Sequence, residues 1–409
     1  MKPYERYKPS GIEWIGGIPE HWKIIRLKYL SKIENGSTPN TGVVEYWNGE
    51  IKWATPVDVS NAKNYLISDT GKKITKEGFD SCGTTLVEPS SIILTTRAPI
   101  GNVAMAGDYI CTNQGCKAIH LLKANHSYLF YQLLASKVVL ESLGSGSTFK
   151  ELSTDALKSF LVCLPSNNEQ TVIADYLDSK TAQIDDSIVK KQKLIDLLNE
   201  EKTAIINQTV TKGLNLNAPM KDSGIPWLGQ IPAHWRLKKV KWFFQLSRGF
   251  DLPSNEFIGG KYPVYGSNGI IGYHNEFKAR GPGITVGRSG SVGEVNYVES
   301  DFWPHNTCLY VETNTGNDWK YIFYYLRTMD LKSLSSGTAV GTLNRNYIHE
   351  ESVGFPSEDE QAAIVRHIEF HANQIDVAIA RINKEIELLQ EFRTALISEA
   401  VTGKIDVRI

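Results

Sequence analysis

Two stretches of this 409-residue chain occur twice, and this internal repeat constrains the fold more than any other feature. Residues 10–22 read SGIEWIGGIPEHW and return as residues 223–235, SGIPWLGQIPAHW, with 9 of 13 positions identical. Residues 165–211 match residues 356–402 at 19 positions. The segments between these stretches, residues 23–164 and 236–355, barely match and are called the middles below. A repeat of this period predicts two pseudo-symmetric halves rather than a solenoid. Because the repeated stretches are constant and the segments between them differ, each half is predicted to bind a different ligand.

Length and composition predict a multidomain globular protein. A chain of 409 residues exceeds one ordinary hydrophobic core, and 41% hydrophobic with 22% charged residues is typical of soluble globular proteins. The net charge of −1 argues against non-specific affinity for nucleic acid. The middles are slightly basic, whereas the segment that follows each middle is net acidic. Any DNA contact is therefore expected in the middles, and protein partners along the acidic segments.

The expected location is the cytoplasm, with no membrane association. No apolar run approaches the roughly 18 residues that cross a bilayer, and the N-terminal residues lack the apolar segment of a signal peptide. Five cysteines without a CxxC pair or a nearby histidine cluster indicate free thiols rather than a zinc site.

Two segments carry the heptad pattern of long coiled-coil helices. Core positions recur at steps of three and four residues from about Glu169 to Thr211 and again 191 residues later, with no Pro or Gly between. Each helix would span roughly 65 Å and bury its stripe against the other, either antiparallel or parallel. Three charged residues occupy core (seam) positions of this heptad pattern, Lys191, Lys202 and Arg393, and are expected to set the register or to face a third helix from a partner. We assign a spacer or partner-binding role to Leu177, Ile184, Lys191, Leu198, Ile368, Ile375, Ile382 and Leu389.

The middles are predicted to be mixed α/β. Strand-like runs at 91–96 and 283–287 precede an arginine and glycines, and residues 128–134 and 319–326 have the pattern of amphipathic helices. We therefore divide the chain into a first globular domain at 1–166, a central helix at 167–212, a second domain at 213–356 and a C-terminal helix at 357–409.

Motifs for chemistry on nucleic acid are absent from the sequence. There is no GxxxxGK[ST] phosphate loop, no Asp/Asn-Pro-Pro-Tyr/Phe motif of amino-methyltransferases, and no HExxH or GxSxG. The glycine-rich run at 287–293 has the wrong spacing for a dinucleotide loop and predicts a tight turn between strands. Catalysis by this chain alone is not expected.

The order of several short motifs resembles the DNA-specificity (S) subunit of type I restriction–modification systems. The first half contains them at residues 36–39, 47–58, 97–101, 144–147, 152–157 and 165–170. The second half contains them at residues 262–273, 288–293 and 356–361. Each motif is only a short turn or cap, but their order, duplicated with two long helices, is specific to this family.

The resemblance implies a non-catalytic subunit with no cofactor of its own. Two mixed α/β target-recognition domains would each read one half of an interrupted double-stranded DNA site, separated by an antiparallel coiled coil of the two long helices. The helices would set the gap and dock two methyltransferase (M) subunits, which bind S-adenosylmethionine and methylate adenine. Restriction (R) subunits that use ATP and Mg²⁺ would join them.

Two other functions stay open on the residues alone. One is a scaffold whose two domains bind proteins or peptides, which the near-neutral charge favours. The other is a single-chain restriction–methylation enzyme with dispersed catalytic residues. Sequence-selective DNA binding, with and without a methyltransferase subunit, distinguishes the three.

Candidate base contacts lie where predicted strands enter glycine turns. Arg97 and Arg288 follow such strands, and a guanidinium can bind both major-groove acceptors of guanine. The structural alternative is an arginine that caps backbone carbonyls. Polar runs that could read adenine edges, or instead form buried turns, contain Asn113, Gln114, His305 and Asn306.

Candidate phosphate contacts lie beside two Ser/Gly/Thr loops. Lys150 follows the loop at 144–148, and Arg345 follows the loop at 335–338. Basic side chains next to such loops suit phosphate oxygens, although a solvated surface position explains them equally well.

Overall fold

The computed structural model describes residues 2–146, 150–257, 259–336 and 341–408. The chain forms two compact units, Met1–Lys190 with Lys384–Ile409, and Lys191–Asn383. Parts of the two predicted Ser/Gly/Thr loops, residues 147–148 and 337–338, lie outside the described residues. Over the described ranges, no helix is long and apolar enough to cross a membrane.

The first globular domain contains a five-stranded sheet, a three-stranded sheet and two pairs of strands. Its strands are β1 (Tyr7–Pro9), β2 (Gly17–Pro19), β3 (Lys23–Arg26), β4 (Ser31–Asn35), β5 (Trp47–Ala54), β6 (Leu66–Ile67), β7 (Lys73–Ile74), β8 (Ile92–Thr95), β9 (Val103–Ala106), β10 (Ile110–Thr112), β11 (Cys116–Leu121) and β12 (Leu161–Leu164). Its helices are α1 (Pro56–Ser60), α2 (Lys76–Asp80), α3 (His126–Ala135), α4 (Lys137–Ser142), α5 (Thr154–Ser159) and the long α6 (Asn167–Lys212). The main sheet has the order β4-β11-β8-β9-β6, the second has the order β10-β5-β7, and the two pairs are β1-β2 and β12-β3.

The second globular domain repeats this plan. Its strands are β13 (Met220–Asp222), β14 (Gln230–Pro232), β15 (Arg236–Lys239), β16 (Phe244–Arg248), β17 (Tyr262–Gly266), β18 (Gly269–His274), β19 (Gly283–Gly287), β20 (Val295–Val298), β21 (Trp303–Pro304), β22 (Cys308–Asn314), β23 (Ser335–Ser336), β24 (Thr342–Leu343) and β25 (Ser352–Phe355). Its helices are α7 (Trp319–Thr328), α8 (Arg345–Glu350) and the long α9 (Glu358–Val401). The main sheet has the order β16-β22-β19-β20.

The two main sheets have the same register over residues 33–35 and 246–248, although the middles barely match in sequence. Strand β11 lies between β4 and β8 and is antiparallel to both, as β22 is to β16 and β19. Lys117 faces Asn35 in the first sheet, and Leu309 faces Arg248 in the second. Every position at this edge of one sheet therefore has a counterpart in the other.

The two repeated stretches of sequence contact each other, which explains why they match. In the first unit the indole Nε1 of Trp22 donates a hydrogen bond of 3.1 Å to Glu169. In the second unit Trp235 donates to Glu360 over the same distance. Both tryptophans are fully buried. The repeated residues thus form a frame that joins each domain to the start of its long helix.

The long helices are antiparallel in the first unit. Asp185, about five turns along α6, binds the guanidinium of Arg393 at 2.9 Å. Further along α9, the carbonyl of Val401 accepts a hydrogen bond from Tyr128, whose hydroxyl also donates to Cys163 just before α6 begins. Progress along α9 therefore leads back to the start of α6.

The second unit contains the counterpart of each contact. Lys202 of α6 binds Asp376 of α9 at 2.7 Å, and Tyr321 donates to the carbonyl of Val210. Asp376, Arg393 and Val401 lie 191 positions after Asp185, Lys202 and Val210. Lys202 and Arg393 are thus each paired with an aspartate of the chain's own opposite helix.

Each long helix is followed by a glycine in the left-handed region, Gly213 directly after α6 and Gly403 two residues after α9. Gly213 has a φ of 72° and Gly403 a φ of 71°, a conformation that favours glycine. The amide of Gly213 donates to the carbonyl of Thr209 at 3.0 Å, which satisfies a free carbonyl of the last turn. Residues 213–219 form the linker between α6 and β13, the first strand of the second domain.

Candidate nucleic-acid interface

The predicted contact residues lie where strands of each main sheet end: β4 and β8 in the first domain, and β16 and β19 in the second. These strand ends are called the edge of the sheet below. At this edge Gly36 and Gly249 follow the equivalent strands β4 and β16. A Cβ atom at Gly36 would overlap the carbonyl of Asn113, and one at Gly249 would overlap the carbonyl of His305. The same close approach of two backbone segments therefore builds the edge in both domains.

In the first domain a buried lysine lies at this edge. The side chain of Lys117 donates to the amide oxygen of Asn35 at 2.9 Å, and Thr154 donates to the same oxygen at 2.9 Å. Only 6% of Lys117 is exposed. Burial lowers its pKa, Glu151 opposes that shift and nearby Arg97 adds to it. A polar, internally bonded cluster results.

Arg97 and Lys150 come together at the rim of this cluster. Arg97 Nε lies 3.1 Å from Glu151 Oε2, and both side chains are exposed. The backbone of Glu151 pairs with that of Ser145, so this strand-like turn presents Lys150 to solvent beside Arg97. The first domain thus offers basic groups here, one of them already paired.

The Asn113–Gln114 run forms a turn beside Arg97. The side chain of Asn113 accepts a hydrogen bond from the amide of Gly115 at 3.0 Å, which is the structural alternative foreseen for it. Gln114 is exposed and accepts from Thr38. Of the two, Gln114 has the side chain that is available to a ligand.

The second domain has an open cleft at the equivalent edge. Its cavity is about 510 Å³, and its walls include Arg248, Arg288 and Arg345. Arg345 donates to Ser247 Oγ at 3.0 Å, and Arg288 donates to the carbonyl of Asn306 at 3.3 Å. The predicted contacts Arg288 and Arg345 therefore do lie together, with a third arginine that the sequence did not single out.

One carboxylate shares the cleft with these arginines. Glu312 accepts hydrogen bonds from the hydroxyls of Ser247, at 2.6 Å, and Tyr310, at 3.3 Å. Burial, followed by the charge of Glu312, raises the pKa of Tyr310 to about 12, so its hydroxyl remains a donor. In the described part of the chain, Glu312 forms no ion pair.

His305 and Asn306 support the cleft rather than line it. His305 Nε2 lies 3.2 Å from the carbonyl of Leu252, an acceptor only, so Nε2 carries the proton. Its Nδ1 then accepts from Thr307 at 2.9 Å. The Asn306 amide donates to Asp251. The imidazole nitrogens are thus both engaged within the domain.

Arg97 and Arg288 are not equivalent, although both follow the same strand of the repeat. The amides of Thr96 and Arg288 each donate to the turn opposite, at Gly115 and Thr307 respectively. The counterpart of Arg288 is therefore the buried Thr96. A shift of one residue along an extended chain turns a side chain to the other face, so the two arginines leave their sheets in different directions.

The seam residues assigned on the long helices are mostly covered by their own unit. Leu177, Ile184, Ile368 and Ile375 are buried, and four more are partly buried: Lys191, Leu198, Ile382 and Leu389. Their side chains pack within the chain, which fits a spacer. The exposed apolar residues of these helices lie outside the predicted seam.

Lys117, Arg248 and Glu312 were missed by sequence reasoning. Each lies on a strand whose neighbour at this edge is far away in the chain, so no local pattern identifies it. One usable signal existed, because Gly36 and Gly249 align at the repeat offset of 213 and mark Asn35 and Arg248 as equivalent. No cluster of three or more His, Cys, Asp or Glu side chains suited to a metal occurs among the described residues.

Comparison with known proteins agrees with this duplicated architecture. A family model described as the type I restriction modification DNA specificity domain matches residues 19–197 and 232–388. The MjaIX specificity subunit of Methanocaldococcus jannaschii is 27% identical, over 96% of this chain and 95% of its own. The EcoprrI specificity subunit of Escherichia coli is 23% identical, over 88% and 90%.

Solved structures share the fold. A chain from a study of complex assembly and conformational transition of the type I R-M system has a TM-score of 0.68 and 14% identity, covering 95% of this chain and 99% of that one. The HsdS subunit from Thermoanaerobacter tengcongensis has a TM-score of 0.57 and 15% identity, covering 95% and 98%. Because the family model matches most of its length, this chain belongs to the type I restriction modification DNA specificity family.

Proposed function

We propose that this chain is the specificity subunit of a type I restriction–modification complex, in which each domain reads one half of an interrupted double-stranded DNA site. One observation carries the proposal: two domains of one fold present different side chains at the same sheet edge. The equivalent positions are Asn35 and Arg248, Thr96 and Arg288, Lys117 and Leu309, and Thr154 and Arg345. Different donors at one docking edge select different bases.

An exchange of one edge tests this proposal. Residues 236–355 are replaced by the corresponding segment of another family member, and the methylated sites are mapped with the cognate methyltransferase subunit. One half of the methylated sequence should change, while the other half and the spacing persist. The reciprocal exchange of residues 23–164 is the matched control and should change the other half. Loss of both halves in either exchange would contradict independent reading.

The partners in this proposal are two methyltransferase subunits, which supply S-adenosylmethionine and the adenine chemistry, and restriction subunits, which supply ATP and Mg²⁺ chemistry. Leu197 and Leu388 occupy equivalent positions of the long helices, and each is 50% exposed. A leucine exposed at the same place in both repeats suits two copies of one partner.

Charged substitutions test this docking. Leu197→Lys should remove one methyltransferase subunit and Leu388→Lys the other, because each buries a lysine in an apolar contact. Native mass spectrometry of the complex counts the subunits. Leu216→Lys, at a position 73% exposed in the linker, is the control. Full stoichiometry in both helix variants would place the docking surface elsewhere.

A further inference from the structure

The cleft of the second domain holds opposite charges that form no direct ion pair, since Arg345 and Glu312 meet only through the hydroxyl of Ser247. Arg248 and Glu312 both line it, yet among the described residues no arginine lies within ion-pair distance of Glu312. The carboxylate is held by neutral hydroxyls, while Arg288 and Arg345 are held by neutral oxygen atoms of the domain. Donors and an acceptor are thus kept apart and available on the walls of one cleft.

This arrangement distinguishes between classes of ligand. A cation would be repelled by the three arginines, and a phosphate, although attracted by them, would leave the Glu312 carboxylate without a donor from the ligand. A neutral surface with hydrogen-bond acceptors beside a donor complements both. The major-groove edge of a G·C pair has this pattern, because guanine presents O6 and N7 as acceptors and cytosine presents its N4 amine as a donor.

We infer that this cleft reads one G·C base pair of the second half-site, with Arg248 donating to guanine O6 and N7 and Glu312 accepting from the cytosine amine. Among the described residues Arg248 donates no side-chain hydrogen bond and forms only a loose ion pair of 3.8 Å with Asp251, so its donors remain available. The adjacent acceptors of guanine match the parallel donors of a guanidinium, whereas adenine places a donor next to N7. The inference rests on the proposed function.

The first domain lacks this combination. Asn35 stands in place of Arg248, and Lys117 stands in place of Leu309. Glu312 lies where β22 shifts register against β16, between the residues that pair with Leu246 and Gln245, and the pairing of β4 with β11 has no such shift, so the first domain has no equivalent of Glu312. The reading of G·C by an arginine and a carboxylate is therefore confined to the second half-site.

The test uses the full chain assembled with its methyltransferase subunits, and duplexes that carry the site mapped by methylation sequencing. Each guanine of the second half-site is replaced in turn by 7-deazaguanine, which lacks N7, or by inosine, which keeps O6 and N7. At one position 7-deazaguanine should weaken binding on the order of 10-fold, and inosine should have little effect. N4-methylcytosine opposite that guanine should weaken binding similarly.

Variants assign these effects to side chains. In Arg248→Ala the 7-deazaguanine penalty should disappear, and in Glu312→Ala the N4-methylcytosine penalty should disappear. Arg280→Ala removes the same charge from an exposed position of this domain that does not line the cleft, and should keep both penalties.

Two outcomes would overturn the inference while the proposed function stands: specific binding to a second half-site without guanine, or penalties unchanged in both cleft variants. Binding without any sequence preference would instead overturn the proposed function itself.

Discussion

The main sheets of the two globular domains have the same register over residues 33–35 and 246–248, but the charged side chains at that edge are paired differently. In the first domain Arg97 pairs with Glu151, and Lys117 is buried against Asn35. In the second domain the arginines of the cleft and Glu312 stay separate. The comparison shows that the backbone at this edge is constant, whereas the side chains on it vary freely. Substitutions in the frame should therefore act alike in both halves, and substitutions at the edge should not.

The largest expected effect comes from the glycines that build the edge. Gly36→Ala and Gly249→Ala should each destabilise their own unit by about 3 kcal/mol, because the new Cβ overlaps a backbone carbonyl that cannot move alone. Chemical denaturation followed by hydrogen exchange reports each unit separately. Gly83→Ala, where nothing lies within 4 Å of the added Cβ, is the control and should be nearly silent. Very different effects at the two glycines would break the equivalence of the domains.

A smaller and unequal effect is expected at the glutamates of the frame. Glu169 accepts from Trp22 and also from Tyr4 at 2.8 Å, and its side chain is 4% exposed. Glu360 accepts from Trp235 and is 24% exposed. Glu169→Ala should cost about 2–3 kcal/mol because it leaves buried donors unpaired, and Glu360→Ala about 1 kcal/mol.

The measurement is the thermal midpoint of each unit, with Glu169→Gln as a control that keeps one acceptor oxygen. Equal costs at the two glutamates would show that the extra contact of Tyr4 contributes nothing.

The sequence predicted the parts of this molecule that depend on local pattern. Heptads predicted both long helices, and an apolar run before glycines predicted β8 and β19, because these signals lie within a few residues of each other. The fold of two mixed α/β domains and a coiled coil is confirmed. What could not be predicted depends on strands that are distant in the chain. The contact between Lys117 and Asn35 joins residues 82 positions apart, and only the register of β4 with β11 creates it.

Sequence alignment also could not separate Arg97 from Arg288. Both follow a strand and precede glycine, so the pattern treats them alike. The hydrogen bonds of the turn show that the equivalent of Arg288 in the first domain is Thr96, one residue before Arg97. The assignments of these residues to bases or phosphates stay predictions.

The ion pairs of the long helices should contribute unequally despite their symmetry. Arg393 is 13% exposed, binds Asp185 through two nitrogens and lies over the ring of Tyr65. Lys202 and Asp376 are 29% and 57% exposed. Arg393→Ala should cost about 1–2 kcal/mol, and Lys202→Ala less than about 1 kcal/mol, because solvent screens the exposed pair.

A double-mutant cycle within each pair measures the coupling, with Arg381→Ala, exposed on α9, as a charge control. A larger coupling for Lys202 with Asp376 would reverse the ranking.

The smallest expected effect is a pH dependence confined to the second domain. Strand β16 has a register shift between Gln245 and Leu246, and the amide of Leu246 donates to His349 Nε2 at 2.8 Å instead. Strand β4 has no such shift, and the first domain has Lys158 at the position of His349. Burial lowers the pKa of His349, and the charges of Arg345 and Lys241 lower it further, against Glu350.

Since only the neutral imidazole accepts this hydrogen bond, its contribution is complete above the unfolded pKa of about 6.5 and is lost as pH falls towards the lower folded pKa. The protection of the Leu246 amide against exchange, relative to its intrinsic rate at each pH, should therefore fall below about pH 6.5, by less than about 1.4 kcal/mol per pH unit, while that of Ile33 should not. His349→Leu should exchange faster at every pH and lose this dependence. A dependence that survives in His349→Leu would assign the titration to another group.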